Sequence, residues 1–305
     1  MTVKFFAYLL GAVLWCQTAN AKPTIDIRYD GIYLNHASMS QLEKVYNDYN
    51  YRDYIYMPDW QYPPIFAETL PTDFDQIKNP QKRNRLFLQM MATLALKVNQ
   101  EIELERIEIL ELIDAFNASH DLSAEQIKII EDKAAKYDIF TRLKGERRYA
   151  LILAQLKTKV DTVPPSILVG EAAIESNWGT NRPSKLANSL YRELVWYTDE
   201  GLEPLDETED KSYRYKIYPN LYDSMSAHAL KINAGINYEQ FRTLREQARY
   251  REVPFLGRNV AHSMYFDSNL QNFAGLLDYT ITFYELTNLD EAELSPLKLP
   301  QKNKF

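Results

Sequence analysis

Two glutamates four residues apart, Glu171 and Glu175, lie in an apolar segment that ends at Trp178. Because proline is well tolerated in a first helical turn, we predict a helix over residues 165–177 that places both carboxyl groups on one face. The unpaired carbonyls of the last turn and the Glu171 charge both disfavour a negative charge on Glu175, and Trp178 is placed to exclude water. All three effects raise the pKa of Glu175, as a general acid near neutral pH requires. The alternative is a solvated glutamate at a helix end.

The residues around Glu175 extend this pattern. They read A-A-I-E-S-N-W-G-T over residues 172–180 and A-N-S-L-Y over residues 187–191. This closely resembles the glucosaminidase-domain signature of glycoside hydrolase family 73, whose members cleave peptidoglycan next to N-acetylglucosamine. The resemblance implies that Glu175 is the general acid and that the fold is predominantly helical α+β, with a lysozyme-like domain and a small β-lobe. The sequence departs from the family at Glu171, where glutamine is common, and at Asn177, where glycine is usual.

Two further segments extend the resemblance towards the C-terminus. Residues 213–226 are similar to a strand–turn–helix segment of the family. Residues 264–267 resemble the region that carries an active-site tyrosine, which implies that Tyr265 positions the reacting sugar or stabilises its developing positive charge. His262 is the competing candidate in this region.

The N-terminal half resembles one subgroup, the periplasmic Bax-type proteins, which place a helical region ahead of the same domain. The matching segments are residues 70–74 and 82–87, followed by Asn99 and Arg106. The resemblance covers roughly residues 66–290, and the tyrosine-rich segment before it has no counterpart.

Family members often carry a second carboxylate in the β-lobe, and the resemblance does not single one out in this sequence. Seven acidic residues lie between positions 199 and 210. We rank Glu209 first as the second catalytic carboxylate, followed by Glu207 and Glu203. A solvated surface loop is the alternative reading for most of these charges.

Side chains near the motif are candidates for holding the sugar. We expect substrate contacts from Trp178, Asn188, Tyr191, Trp196 and Tyr213. Aromatic rings present apolar faces to sugars, but they also dominate protein cores. Core packing is therefore an equal alternative for Trp178, Tyr191 and Trp196.

Apolar periodicity predicts the helices that position these residues. Apolar side chains recur at spacings of three and four, with one longer gap, over residues 86–116, which predicts one long helix or two in series that end near residues 117–122. A second helix is expected to begin after Ser123, which forms a possible capping box with Gln126. A third is expected over residues 142–159, before two prolines break the chain.

Residues 23–72 are rich in tyrosine and proline without a clear period, which predicts an irregular arm of short strands or helices packed over another surface. We divide the chain into four parts. These are a signal peptide (residues 1–21), the tyrosine-rich arm with an N-terminal helical region (22–140), a glucosaminidase domain (141–290) and a C-terminal tail (291–305).

The first 21 residues are typical of a secretory signal peptide. Lys4 precedes an apolar run over residues 5–15, and residues 19–21 (Ala-Asn-Ala) fit the rule for cleavage after Ala21. The alternative is a lipoprotein signal that uses Cys16, although Trp15 replaces the small residue that normally precedes a lipidated cysteine. Cleavage predicts a periplasmic or secreted protein without a membrane span.

Composition excludes several other classes. The 305 residues include 9 Gly and 1 Cys, which argues against collagen-like and disulfide-rich scaffolds. The formal charge of −7 lacks the basic footprint of a nucleic-acid-binding protein. The four histidines are scattered without metal-ligand spacing and no phosphate-binding loop is visible, so we expect neither a metal nor a cofactor.

The sequence thus predicts a hydrolase that cleaves the β-1,4 bond after N-acetylglucosamine in peptidoglycan glycan strands. Two alternatives stay open. A lytic transglycosylase also uses one glutamate on a lysozyme-like fold. A non-catalytic cell-wall-binding protein would keep the glycan-binding groove of the family but would not cleave the glycan. The lack of an assigned second carboxylate favours this alternative.

Overall fold

A computed structural model describes residues 22–298 except Tyr56, His120, Asp199, 206–211 and 265–271. The predicted signal peptide, Tyr265, Glu207 and Glu209 lie outside the described residues, as do residues 299–305 of the predicted tail.

Helices form most of the described chain, which confirms the predominantly helical α+β fold. The α-helices are α1 (Met39–Asp48), α2 (Pro80–Ser119), α3 (Ala124–Lys136), α4 (Glu146–Lys159), α5 (Pro165–Glu175), α6 (Arg182–Ala187), α7 (Leu221–Ala234), α8 (Glu239–Tyr250), α9 (Gly257–Val260) and α10 (Phe273–Phe283). The strands are β1 (Thr24–Arg28), β2 (Gly31–Asn35), β3 (Gln61–Tyr62), β4 (Ile65–Ala67), β5 (Leu194–Trp196), β6 (Tyr213–Tyr215) and β7 (Glu293–Leu294).

The strands form three small sheets. β2 pairs with β1 in antiparallel and with β4 in parallel orientation, and β3 pairs in parallel with β7 near the end of the described chain. β5 and β6 form an antiparallel pair in which Trp196 lies opposite Tyr213. This last pair is the small β-lobe that the sequence predicts, and α7 follows it as in the expected strand–turn–helix segment.

The helices predicted from periodicity are present, with small differences at their ends. The segment over residues 86–116 is a single helix of 40 residues, α2. Ser123 caps α3 and forms the expected capping box with Gln126. α4 begins at Glu146 rather than at residue 142, because Gly145 before it takes a left-handed backbone angle (φ +59°) that a helix does not continue.

The tyrosine-rich arm contributes to the main hydrophobic core. Tyr46, Tyr51, Tyr54 and Tyr62 are all buried there. The hydroxyl of Tyr51 donates to the backbone carbonyl of Gln89 in α2 (2.8 Å), and the Gln89 amide donates back to the Tyr51 carbonyl (2.6 Å). These two hydrogen bonds join the arm to α2, whereas the buried Tyr46 hydroxyl has no hydrogen-bond partner among the described residues.

α5 lies at the centre of the molecule. It is buried over Pro165–Ala173 and contacts α2, α7 and α10, as its almost uniformly apolar sequence requires. At Gly170 an added Cβ would lie 2.8 Å from the Leu277 side chain, so α10 approaches α5 closely there. The Asp290 carboxylate closes the N-terminal end of α5 by accepting hydrogen bonds from the Ser166 amide and hydroxyl.

Candidate active site

Glu175 is the last residue of α5, two residues earlier than the predicted helix end. The next residues reverse the chain through a run of left-handed backbone angles at Asn177, Trp178 and Gly179 (φ +49°, +59° and +73°). The Asn181 side chain donates to the Glu175 carbonyl (2.7 Å), so this last turn is held in place. Glu175 therefore stands on a rigid helix end and not on a loop.

The electrostatic surroundings of Glu175 favour its protonated form. Burial raises the pKa of Glu175, and the nearby Glu171 charge raises it further. The positive charges of Arg192, His228 and Lys231 act in the opposite direction and do not outweigh burial. The predicted direction of the pKa shift is confirmed, with burial as the main cause.

Glu171, one turn before Glu175, is buried and bound to a histidine. Its carboxylate lies 2.6 Å from His228 Nε2, and the His228 ring stacks on Tyr191 with centroids 3.8 Å apart. The Tyr191 hydroxyl donates to the Leu168 carbonyl of α5 (3.0 Å). These contacts connect α5 with α7 and with the segment that leads into the β-lobe.

Three predicted sugar-binding residues have defined structural contacts. The Trp178 ring packs against Phe87 (6.3 Å between centroids) and Tyr284 (4.7 Å), at the edge of the main core. The Asn188 amide donates to the carbonyls of Tyr218 and Pro219, before α7. Trp178, Asn188 and Tyr191 thus hold this region together, and their contact with substrate stays a prediction.

The β-lobe presents aromatic rings to solvent. Trp196 is 52% exposed, and its ring lies 5.5 Å from that of Tyr213 on the paired strand. Tyr213 in turn contacts the more buried Tyr215 (5.9 Å). Paired rings on one face of a hairpin form an apolar surface of the kind on which a sugar ring can stack.

The structure describes one of the three ranked candidates for the second carboxylate. Glu203 is exposed, with one oxygen 3.6 Å from Arg214, and its carbonyl accepts a hydrogen bond from Arg182 (2.5 Å). Glu207, Glu209 and Tyr265 lie outside the described residues, and their roles stay predictions. His262, the competitor of Tyr265, is exposed in a short turn.

Sequence reasoning missed the positively charged neighbours of Glu175, which are Arg192, His228 and Lys231. His228 lies 57 residues from its partner Glu171, and nothing in its local sequence indicates this contact. Arg192 directly follows the motif and has an unusual left-handed backbone angle (φ +51°), which no local sequence signal reveals because it is not glycine. The groups that tune Glu175 therefore come from the tertiary fold.

A cavity of about 530 Å³ lies at the other end of α5, and we do not assign the chemistry to it. Asp161, Arg245, Arg249 and Asp290 are among the residues that line it. Two of its acidic groups are already held, since Asp161 is bound by arginines and Asp290 by the Ser166 amide and hydroxyl. Among the described residues, no cluster of three or more histidine, cysteine or acidic side chains could hold a metal ion.

Comparison with known proteins assigns the class. Residues 152–277, within the predicted domain boundaries, match the family model Glucosaminidase, described as mannosyl-glycoprotein endo-beta-N-acetylglucosaminidase. This segment is a glucosaminidase domain, and the protein is a glycoside hydrolase. The boundaries over residues 22–140, 141–290 and 291–305 and the Bax-type relationship stay predictions.

One solved structure is similar to this chain, the catalytic domain of the autolysin Auto from Listeria monocytogenes. The identity is 18%, the match covers 59% of this chain and 96% of that one, and the TM-score is 0.31. Comparison with curated proteins gave no match. No helix in the part of the chain that the structure describes is both long and apolar enough to cross a membrane.

Proposed function

We propose that the glucosaminidase domain hydrolyses the β-1,4 glycosidic bond after N-acetylglucosamine in peptidoglycan, with Glu175 as the general acid. The observation that carries this proposal is the position of Glu175 at a rigid helix end, where burial raises its pKa. A carboxylic acid that stays protonated closer to neutral pH can give its proton to a departing sugar oxygen.

In the proposed reaction, the Glu175 carboxyl donates its proton to the glycosidic oxygen as the bond from that oxygen to C1 breaks. The leaving sugar departs as a neutral alcohol, and water adds to C1 of the N-acetylglucosamine. The proton that this water loses restores the protonated carboxyl, directly or through solvent. Tyr265 is proposed to stabilise the positive charge at C1, and Glu209 to activate the water.

The β-lobe is proposed to hold the glycan. Trp196 offers an exposed ring on which a sugar can stack, beside the half-buried ring of Tyr213, which supports their predicted role. Trp178, Asn188 and Tyr191 act mainly by fixing the surface on which the sugar lies, since most of their described contacts are internal.

The proposed substrate lies outside the cytoplasm, and the proposed location follows from it. The mature protein acts in the periplasm or outside the cell after cleavage behind Ala21. N-terminal sequencing of the exported protein tests this step, since retention of residues 1–21 would contradict it.

The Glu175→Gln variant tests the proposed acid. Gln keeps the shape of the side chain and has no acidic proton, so release of muropeptides from purified sacculi should fall by about 10²–10⁴-fold. Circular dichroism should show an unchanged fold. Glu125→Gln, at an exposed glutamate in the first turn of α3, is the matched control and should keep full activity.

Product analysis by mass spectrometry distinguishes the reaction from its alternatives. Hydrolysis leaves N-acetylglucosamine at a reducing end, whereas anhydro sugars would indicate a lytic transglycosylase. Binding to sacculi without any release would indicate a cell-wall-binding protein. Full activity of Glu175→Gln would remove this residue from the mechanism.

A further inference from the structure

Arg192 combines an exposed, charged side chain with a backbone angle that favours glycine. Its φ is +51°, and its side chain lies in the segment between the motif and β5. Residues other than glycine, asparagine and aspartate rarely adopt this conformation, and it persists where the surrounding structure enforces it. Several other residues of this chain, including Trp178 and Tyr197, also adopt it, so the angle defines the backbone of Arg192 and the role of its side chain follows from its surroundings.

The residue before Arg192 is fixed to the helix that carries the acid. The Tyr191 hydroxyl donates to the Leu168 carbonyl of α5 at 3.0 Å, and the Tyr191 ring stacks on His228. The backbone entering Arg192 is thus held in place by a hydrogen bond to α5 and by a ring stack.

The residue after Arg192 is fixed to the β-lobe. The Glu193 carbonyl accepts a hydrogen bond from the Lys216 amide (2.8 Å), and the Glu193 carboxylate is bound by Lys216 Nζ (3.0 Å) and by the Tyr218 hydroxyl. With both neighbours held, the Arg192 backbone has little freedom to relax. Its side chain is presented at the junction between α5 and the β-lobe.

The guanidinium of Arg192 acts on the proposed acid through its charge, interacts with the Tyr215 side chain, and forms no carboxylate pair with any described residue. It lies 5.9 Å from the centre of the Tyr215 ring. Its charge opposes the effect of burial on the pKa of Glu175, so the two groups share one electrostatic site. The positive charge of Arg192 lowers the pKa of Glu175 and so disfavours the protonated form that a general acid needs. Support of proton transfer therefore does not explain why an arginine lies here.

We propose that Arg192 binds a carboxylate of the glycan substrate and selects acidic glycans over neutral ones. The inference rests on the proposed function, because alternate sugars of peptidoglycan carry lactyl groups extended by peptides that end in carboxylates. A guanidinium presents two parallel donors that match the two oxygens of a carboxylate. Because its backbone is held on both sides and its guanidinium lies beside the Tyr215 ring, Arg192 loses less conformational freedom on binding such a group than a fully mobile side chain would.

Binding to a matched pair of ligands tests this proposal. The first ligand is a soluble peptidoglycan fragment of two disaccharide–peptide units, and the second is the same fragment with its carboxylates converted to amides. Affinities are measured by calorimetry in the Glu175→Gln background, so that turnover does not interfere. Arg192→Gly is the main variant, because glycine accepts the left-handed angle without strain.

The expected result is a loss of affinity confined to the acidic ligand. Arg192→Gly should bind the acidic fragment about 10-fold more weakly and the amidated fragment as tightly as its parent does. Arg192→Lys should be intermediate, since it keeps the charge without the two-donor fork. Arg147→Ala, at an exposed arginine on α4, controls for net charge and should change neither affinity.

Two outcomes would overturn the proposal. Equal losses for both ligands would mean that Arg192 only shapes the site. Unchanged affinities with a lowered melting temperature would mean that Arg192 pairs within the protein, for example with the acidic segment over residues 199–210. If the Glu175→Gln variant still lyses sacculi, Glu175 is not the general acid. If the preference for the acidic ligand nevertheless depends on Arg192, the inference about Arg192 stands.

Discussion

Asp161 lies before the N-terminal end of the central helix α5, and Glu175 is its last residue; the first side chain is buried and the second half-buried, both near positive charges. Their pKa values nevertheless shift in opposite directions. The pKa of Asp161 is lowered, whereas that of Glu175 is raised. The cause is how closely each carboxylate is bound.

Asp161 is surrounded by three arginines. Arg249 donates to both of its oxygens, one through Nε at 2.6 Å, while Arg106 and Arg245 lie 3.4 and 3.7 Å away. Burial acts to raise the pKa of Asp161, and the Arg249 hydrogen bond with the three positive charges outweighs it. The ionised form is fully satisfied and has nothing left to offer a ligand.

Glu175 has positive neighbours but no direct partner for its carboxylate among the residues that the structure describes. Arg192, His228 and Lys231 influence it through their charges alone, and burial prevails. The comparison teaches that charge at a distance does not replace a hydrogen bond in a buried site. A carboxyl left without a partner in this way keeps its proton for a substrate.

Asp161→Asn should have the largest effect on stability. It leaves three arginines facing a neutral amide, and breaking a buried pair costs about 3–5 kcal/mol. The expected result is a loss of that size in the free energy of unfolding, measured by urea denaturation at pH 7.

The pH dependence of this loss provides its control. A lowered folded-state pKa contributes stability that is present above the unfolded value, 3.8, and is lost as pH falls through the folded value. The difference between wild type and Asp161→Asn should therefore shrink on acidification below about pH 4. A constant difference would show that the cost comes from packing and not from charge.

Glu175→Gln should have a smaller effect of opposite sign. A raised folded-state pKa makes the ionised form costly above that pKa, and the cost is absent below the unfolded value, 4.5. The variant should unfold with a free energy higher by on the order of 1 kcal/mol at neutral pH, the size typical of a single stabilising substitution.

The same denaturation series at several pH values checks the origin of this gain. The advantage of Glu175→Gln should grow as pH rises through the folded pKa of the wild-type residue. Lower stability of the variant at pH 7 would mean that the carboxylate makes a favourable contact and would remove the contrast with Asp161.

Glu171→Gln and His228→Gln should give the smallest effects, a pair of opposite shifts in the pH profile of kcat/KM. Glu171 raises the pKa of Glu175 and His228 lowers it. The alkaline limb of activity should move to lower pH in Glu171→Gln and to higher pH in His228→Gln. Shifts in the same direction would indicate a rearranged site, because the pair is joined by a hydrogen bond of 2.6 Å.

Local patterns in the sequence predicted the elements near the acid well. α5 begins at Pro165 and α3 begins after Ser123 as expected, because a first-turn proline and a capping box act within a few residues. The direction of the Glu175 pKa shift was also predicted, although its largest cause is burial, which the tertiary fold produces. The two extra positive turn angles at Asn177 and Trp178 were not predicted, since neither residue type requires them.

Contacts between distant segments could not be predicted. His228 contacts Glu171, which lies 57 residues earlier in the chain. The sequence does not show which residues of α5 and α7 lie side by side. The tyrosines of the arm likewise gave no sign that Tyr51 would bond to Gln89 on α2. Such contacts depend on how whole elements pack, which apolar periodicity does not specify.

The cap on α5 has a consequence for how the protein is made. Asp290 lies 124 residues after Ser166, so the N-terminal end of the central helix has no cap until nearly the whole described chain has been synthesised. Closing so long a loop is slow, and a chain interrupted before Asp290 leaves these backbone donors open. The helix that carries Glu175 therefore receives its N-terminal cap only after the chain has been synthesised as far as Asp290.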